Sequence, residues 1–186
     1  YSITKLLKFG EENELEVKVN KVSSNQSINY AERNADFWIF GGIFRPVYLQ
    51  VFPKEHIEKV AIDAEANGQI IADLFIQSKN AANVQASLYD LNDKPVQELK
   101  VSKLEKAIKK WTIKTKASNI KTWNPKQPNL YQLVLSILDK NGNILHTVKQ
   151  RIGFRTVEVL EGDGIYVNGQ RIKFKGVNRH SFYPTS

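Results

Sequence analysis

No cysteine occurs among the 186 residues. Disulfides and thiolate metal sites are therefore excluded within this stretch, a composition that suits a cytoplasm or a periplasm equally. No run of apolar residues approaches the roughly 18 needed to cross a bilayer, so no membrane span is expected. A charged-then-apolar leader is missing as well. Tyr1 is no natural start residue, so the true N-terminus is expected upstream, and localisation stays open between cytoplasm and periplasm.

What is present is enough to fold. Apolar residues make up 41% and aromatics 10%, which supports a core and argues against wholesale disorder. The net charge of +8 raises the question of an acidic partner such as nucleic acid. The densest basic cluster is Lys100, Lys103, Lys106, Lys109, Lys110, Lys114 and Lys116, interleaved with Leu104, Ile108, Trp111 and Ile113. That pattern reads as the solvated face of a β-sandwich, and no nucleic-acid partner is expected.

Three unequal pieces follow along the chain. In residues 1–53, Glu14–Val19 alternates apolar and charged residues, and Pro46–Phe52 reads as a further strand, with a loop from Asn20 to Asn29. Two or three strands cannot cover their own faces, so this piece is expected to be the end of a larger β-domain. Residues 54–156 hold strand candidates at Ile57–Ala64, Gly68–Gln77, Val84–Tyr89, Lys110–Lys116, Tyr131–Ile137 and Ile144–Gly153. Turn chemistry separates them at Asn92–Pro95 and Asp139–Asn143. Val101–Ile108 is ambiguous between a helical turn and a tilted edge strand. Seven or so short strands over about 100 residues predict an immunoglobulin-like sandwich.

Residues 157–186 form the third piece. A hairpin is expected to turn at Asn168-Gly169, the strongest short-range hairpin signal, and to lead a strand through Phe174 into Lys175-Gly176-Val177-Asn178-Arg179-His180. An amide, a guanidinium and an imidazole then meet where a strand gives way to a loop, the place where barrel enzymes keep their chemistry.

Four local patterns, in order, resemble glycoside hydrolase family 2, the family of β-galactosidases, β-glucuronidases and β-mannosidases. They are Asp36-Phe37-Trp38-Ile39-Phe40-Gly41-Gly42-Ile43-Phe44-Arg45-Pro46-Val47, then Trp123-Asn124-Pro125 with Pro128-Asn129-Leu130-Tyr131, then Gly153-Phe154-Arg155, and the tail through Asn168-Gly169 to His180. The resemblance implies an all-β chain: the last strands of a jelly-roll sugar-binding domain (1–53), a complete immunoglobulin-like sandwich (54–156) and the entry hairpin of a (β/α)8 barrel (157–186).

It further implies a retaining β-glycosidase, with β-galactosidase the leading activity and a terminal β-linked sugar as its partner. Such enzymes use two glutamates with carboxyls about 5 Å apart, one protonating the leaving oxygen and one attacking the anomeric carbon. By resemblance both lie beyond Ser186, and none of the 19 acidic residues here matches the family's Asn-Glu acid/base motif. This stretch alone is expected to be inactive and to carry no catalytic residue.

Three residues are sugar-site candidates by the same resemblance. His180 matches a histidine that contacts a sugar hydroxyl, a role suited to a ring that donates from one nitrogen and accepts at the other. Asp36 matches an aspartate that binds sugar hydroxyls and helps to hold a sodium ion. Arg179 either braces the site's carboxylates or forms a structural salt bridge. Asn178 is expected to hold the strand end, and Trp38 to pack beneath its loop rather than to stack on sugar. Arg45 and Arg155 look structural, and His56 and His146 read as sandwich residues rather than ligands. No cofactor is expected here, while sodium and magnesium are implied for the longer protein, for which a homo-oligomer is allowed.

A different class of function is compatible with the same sandwich: a non-catalytic module that binds carbohydrate or spaces domains. It calls for an exposed planar strip of Trp or Tyr, whereas Trp38, Trp111 and Trp123 fall in separate segments.

Overall fold

The computed structural model describes residues 1–34, 41–43, 45–104 and 109–178, with backbone alone at 100 and 101. Contacts divide the chain into two compact units: residues 50–175, and residues 1–49 together with 176–186.

The larger unit is a sandwich. Its first sheet joins β1 (His56–Ala64), β2 (Gln69–Gln77) and β5 (Lys110–Lys116) in the order β1-β2-β5. Its second joins β3 (Asn83–Tyr89), β4 (Pro95–Lys103), β8 (Tyr131–Leu138) and β9 (Ile144–Ile152) in the order β4-β3-β8-β9. All these pairings are antiparallel. The short pair β6 (Trp123–Asn124) and β7 (Gln127–Pro128) lies between β5 and β8 in sequence.

Period-2 alternation builds the core. Ile70, Ala72, Leu74 and Ile76 of β2 turn inward, as do Val84, Ala86 and Leu88 of β3 and Leu133, Leu135 and Ile137 of β8. Fully burying each Ile, Leu or Val of this set stabilises the fold by roughly 1.5–3 kcal/mol. The loops are closed by their own carboxylates. Asp139 Oδ1 accepts the amides of Asn141 and Asn143, and Asp90 Oδ1 does the same for Asn92 and Lys94. At the β1–β2 turn Gly68 has φ +87°, and an added Cβ would lie 2.2 Å from the Ala117 carbonyl oxygen. Only glycine fits there.

A three-stranded sheet, β10 (Val157–Leu160), β11 (Gly164–Val167) and β12 (Gln170–Arg171), completes the larger unit. Val167 pairs Gln170 across Asn168 and Gly169, whose φ values are +52° and +74°. Two consecutive positive φ angles are what a type I′ hairpin requires. The strand expected to run on through Phe174 stops at Arg171. Phe174 and Val177 stay exposed, with no neighbouring strand to cover them among the described residues.

The chain ahead of β1 departs further from expectation. Glu14–Val19 and Pro46–Phe52, expected as strands, form no ladder among the described residues. Alternation makes a strand only where a partner accepts its amides, and here Leu15, Val17, Val47 and Leu49 remain exposed. The expected loop Asn20–Asn29 instead leads into a helix, α1 (Gln26–Arg33). Asn25 caps it by accepting the Ser27 amide at 3.0 Å, and Asn29 exchanges two hydrogen bonds with the Ser23 backbone. In the region read as helical turn or edge strand, β4 extends to Lys103; Glu105–Ile108 lie outside the described residues.

Candidate functional site

The expected sugar-site residues Asp36, Arg179 and His180, and Trp38 with them, lie outside the described residues. Asn178 is described: it is exposed, and its side chain makes no hydrogen bond among the described residues. What the structure does bring together is a joint where the motifs of the sandwich meet the hairpin behind it.

Phe154 is the floor of that joint. Its side chain is fully buried, and Tyr131 packs edge-on against it with ring centroids 5.5 Å apart. The Phe154 carbonyl accepts the Trp123 amide at 2.8 Å. The Tyr131 hydroxyl accepts the Lys121 amide, and Asn129 donates to the Thr122 carbonyl. Residues from the Trp-Asn-Pro, Pro-Asn-Leu-Tyr and Gly-Phe-Arg motifs thus share one packed corner.

Gly153 is a requirement of close approach. A Cβ there would meet the Trp123 side chain at 3.0–3.1 Å. The Arg155 guanidinium lies over the Trp123 ring, 5.1 Å from a ring centroid, while the Arg155 amide donates to the Ala64 carbonyl at the end of β1. That ring face is therefore taken by a cation. Trp111 packs on the core from β5, and neither tryptophan offers the open strip a sugar-stacking module needs.

Asn168 ties the hairpin to this corner. Its side-chain oxygen accepts the Thr156 amide, and its side-chain nitrogen donates to the Trp123 carbonyl, both at 2.9 Å. The Asn168 amide donates back to the Thr156 carbonyl, and the Thr156 hydroxyl accepts the Ala66 amide at 3.2 Å. The sequence marks Asn168 as a turn residue only; its second role is set by partners 12 and 45 residues away.

The ionisable groups with shifted titration are not clustered for catalysis. Glu55 is held below the ordinary glutamate range first by the Ser78 hydroxyl and then by the amides of Asn80 and Lys79. Asp73 is lowered chiefly by Thr112 and then by Lys110, its ion-pair partner at 2.9 Å. Among the described residues no group of three or more His, Asp or Glu is placed to hold a metal ion. No helix among them is long and apolar enough to cross a membrane.

Residues 55–155, the sandwich with both its motif segments, match the model for "Glycosyl hydrolases family 2". A β-galactosidase from Clostridium acetobutylicum is 35% identical over 187 residues, covering 98% of this chain and 20% of its own length. A putative β-glucuronidase from Formosa agariphila is 34% identical, covering 96% and 22% respectively. Among solved structures, Bifidobacterium dentium β-glucuronidase complexed with coumarin-3-O-glucuronide aligns over 67% of this chain and 21% of its own. That alignment has a TM-score of 0.57 at 26% identity. The chain thus spans 20% and 22% of the lengths of the two curated relatives. With the sandwich matched across its length and its motifs converging on one joint, the chain belongs to glycosyl hydrolase family 2.

Proposed function

We propose that these residues are a non-catalytic stretch of a retaining β-glycosidase, with hydrolysis of terminal β-galactosides as its activity in carbohydrate metabolism. The match of residues 55–155 to the family carries the reading. The names of the relatives, a β-galactosidase and a putative β-glucuronidase, support the reaction class. On this reading residues 1–53 close a jelly-roll domain, 54–156 orient it against a catalytic barrel, and 157–186 begin that barrel.

The chemistry would be a double displacement between two glutamates outside this stretch, about 5 Å apart. His180, Arg179 and Asp36 would face the sugar: the imidazole exchanging hydrogen bonds with one hydroxyl, the carboxylate accepting from two. Asp36 is the residue proposed toward sodium, with magnesium elsewhere in the longer protein; neither ion enters a step here.

The test compares the full-length protein with residues 1–186 on p-nitrophenyl β-D-galactoside and β-D-glucuronide. Turnover of the galactoside by the full-length protein, and none by the shorter chain, is expected. Preference for the glucuronide would overturn the substrate, and turnover by residues 1–186 alone would overturn the assignment of the stretch as non-catalytic.

A further inference from the structure

The two histidines of the sandwich face each other at the opposite end of β1 from the Arg155–Ala64 bond. His56 begins β1 and His146 lies in β9, so the pair spans the two sheets. Their rings meet edge-on, with centroids 6.2 Å apart, and Phe52 stacks on His56 at 4.9 Å. The amide of Ile57, a residue only 2% exposed, donates to His146 Nδ1 at 3.1 Å.

That last bond fixes the state of the ring. A nitrogen that accepts an N–H carries no proton, so His146 is the neutral tautomer with its hydrogen on Nε2. A proton on Nδ1 would set donor against donor and leave the Ile57 amide buried without a partner. His56 Nδ1 is also shielded from solvent and meets no hydrogen-bond partner among the described residues.

We propose that His146 is a pH-operated clasp between the sheets: neutral, it holds the Ile57 amide at the start of β1; protonated, it lets that amide go. Charged groups nearby do not offset the effect. Facing His146 from β1 is His56, a like charge when protonated, and Ile137 lies opposite on β8. Glu55 directs its carboxylate to Ser78, Lys79 and Asn80, and Glu58 is exposed and bonded by Gln77. Burial and then His56 both hold His146 below the ordinary histidine range, in keeping with the geometry.

The sign follows from linkage. A histidine kept neutral by the fold contributes stability that is full above its unfolded pKa of about 6.5 and falls as pH drops below it. The consequence is local: the clasp opens while the core of both sheets stays closed.

Amide exchange resolved residue by residue tests this on the 186-residue chain between pH 8 and pH 5, with protection corrected for intrinsic rates. Ile57 is expected to lose at least about 5-fold in protection, the lower bound for orphaning a buried amide, while Val84 and Leu135 hold theirs. His56→Gln removes the like charge that helps hold His146 low, so the loss of Ile57 protection should begin at higher pH than in the unaltered chain. His146→Phe should leave Ile57 poorly protected at every pH. Constant protection of Ile57 across the range would overturn the clasp, as would loss at Ile57, Val84 and Leu135 together, which is global acid unfolding.

Discussion

The carbonyl of Trp123 accepts the side-chain amide of Asn168 at 2.9 Å, so a hairpin turn is bonded directly to a motif residue of the sandwich. One side chain thereby does two jobs. It supplies the left-handed backbone of the turn, and it bridges Trp123 to Thr156.

Substitutions at Asn168 separate those jobs. Asn168→Gly keeps the turn and loses the two side-chain bonds, which should cost about 1–3 kcal/mol of hairpin stability. Asn168→Ala adds the strain of a left-handed alanine, about 1 kcal/mol more. Amide exchange at Val157–Val167 measures both; equal effects of the two variants would remove the backbone contribution.

Two glycines should rank in a definite order. Gly153→Ala meets the Trp123 side chain, which can yield by a few tenths of an ångström, so a loss of about 1–3 kcal/mol is expected in urea unfolding. Gly68→Ala meets a backbone carbonyl oxygen at a positive φ and has no such relief. It should be the more damaging, about 3 kcal/mol or above. The reverse order would mean that the β1–β2 turn can rebuild.

Arg155→Ala should uncover the Trp123 ring. Loss of the cation from its face is expected to cost about 0.5–1 kcal/mol and to change Trp fluorescence. The backbone bond from residue 155 to Ala64 survives the substitution, so the sandwich should keep its fold. Circular dichroism together with the emission spectrum checks both halves.

Acid stability should depend on Glu55. Its carboxyl is lowered in the folded state by hydrogen bonds from Ser78, Asn80 and Lys79. The contribution is therefore full above the ordinary value of 4.5 and is lost as pH falls through the lower, folded value. Glu55→Gln should flatten the dependence of the urea midpoint on pH below that range. An unchanged slope would show that the 78–80 loop is held by other means.

The sandwich was legible because burial on one face of a strand writes itself into every second residue. Ile70, Ala72, Leu74 and Ile76 carry that signal, and so do Leu133, Leu135 and Ile137. Alternation does not say whether a partner exists, which is why Glu14–Val19 reads as a strand and forms no ladder here. Helix α1 escaped for the opposite reason. It buries no residue, so its hold on the chain is polar: the cap of Asn25, the clamp of Asn29 and the Arg33 guanidinium on the Lys21 carbonyl, which leave no period behind. The motifs around Trp123, Tyr131 and Gly153 identified the family, while the bonds of Asn168 join distant positions and no local pattern contains them. Asp36, Arg179 and His180 stand on resemblance alone.

The pairing of β4 with β3 rather than β5 leaves β4 and β5 as outer strands of their sheets. One begins at Pro95 and pairs through two register shifts; the other presents Lys110, Lys114 and Lys116. Neither offers a long, even row of amides to a visiting strand. A polypeptide with several β-rich domains emerges from the ribosome piece by piece, and each unfinished piece is a template for the wrong neighbour. Where β4 and β5 bound their sheets, a foreign strand finds no even ladder to extend, which favours closure of the sandwich on itself over pairing with another chain.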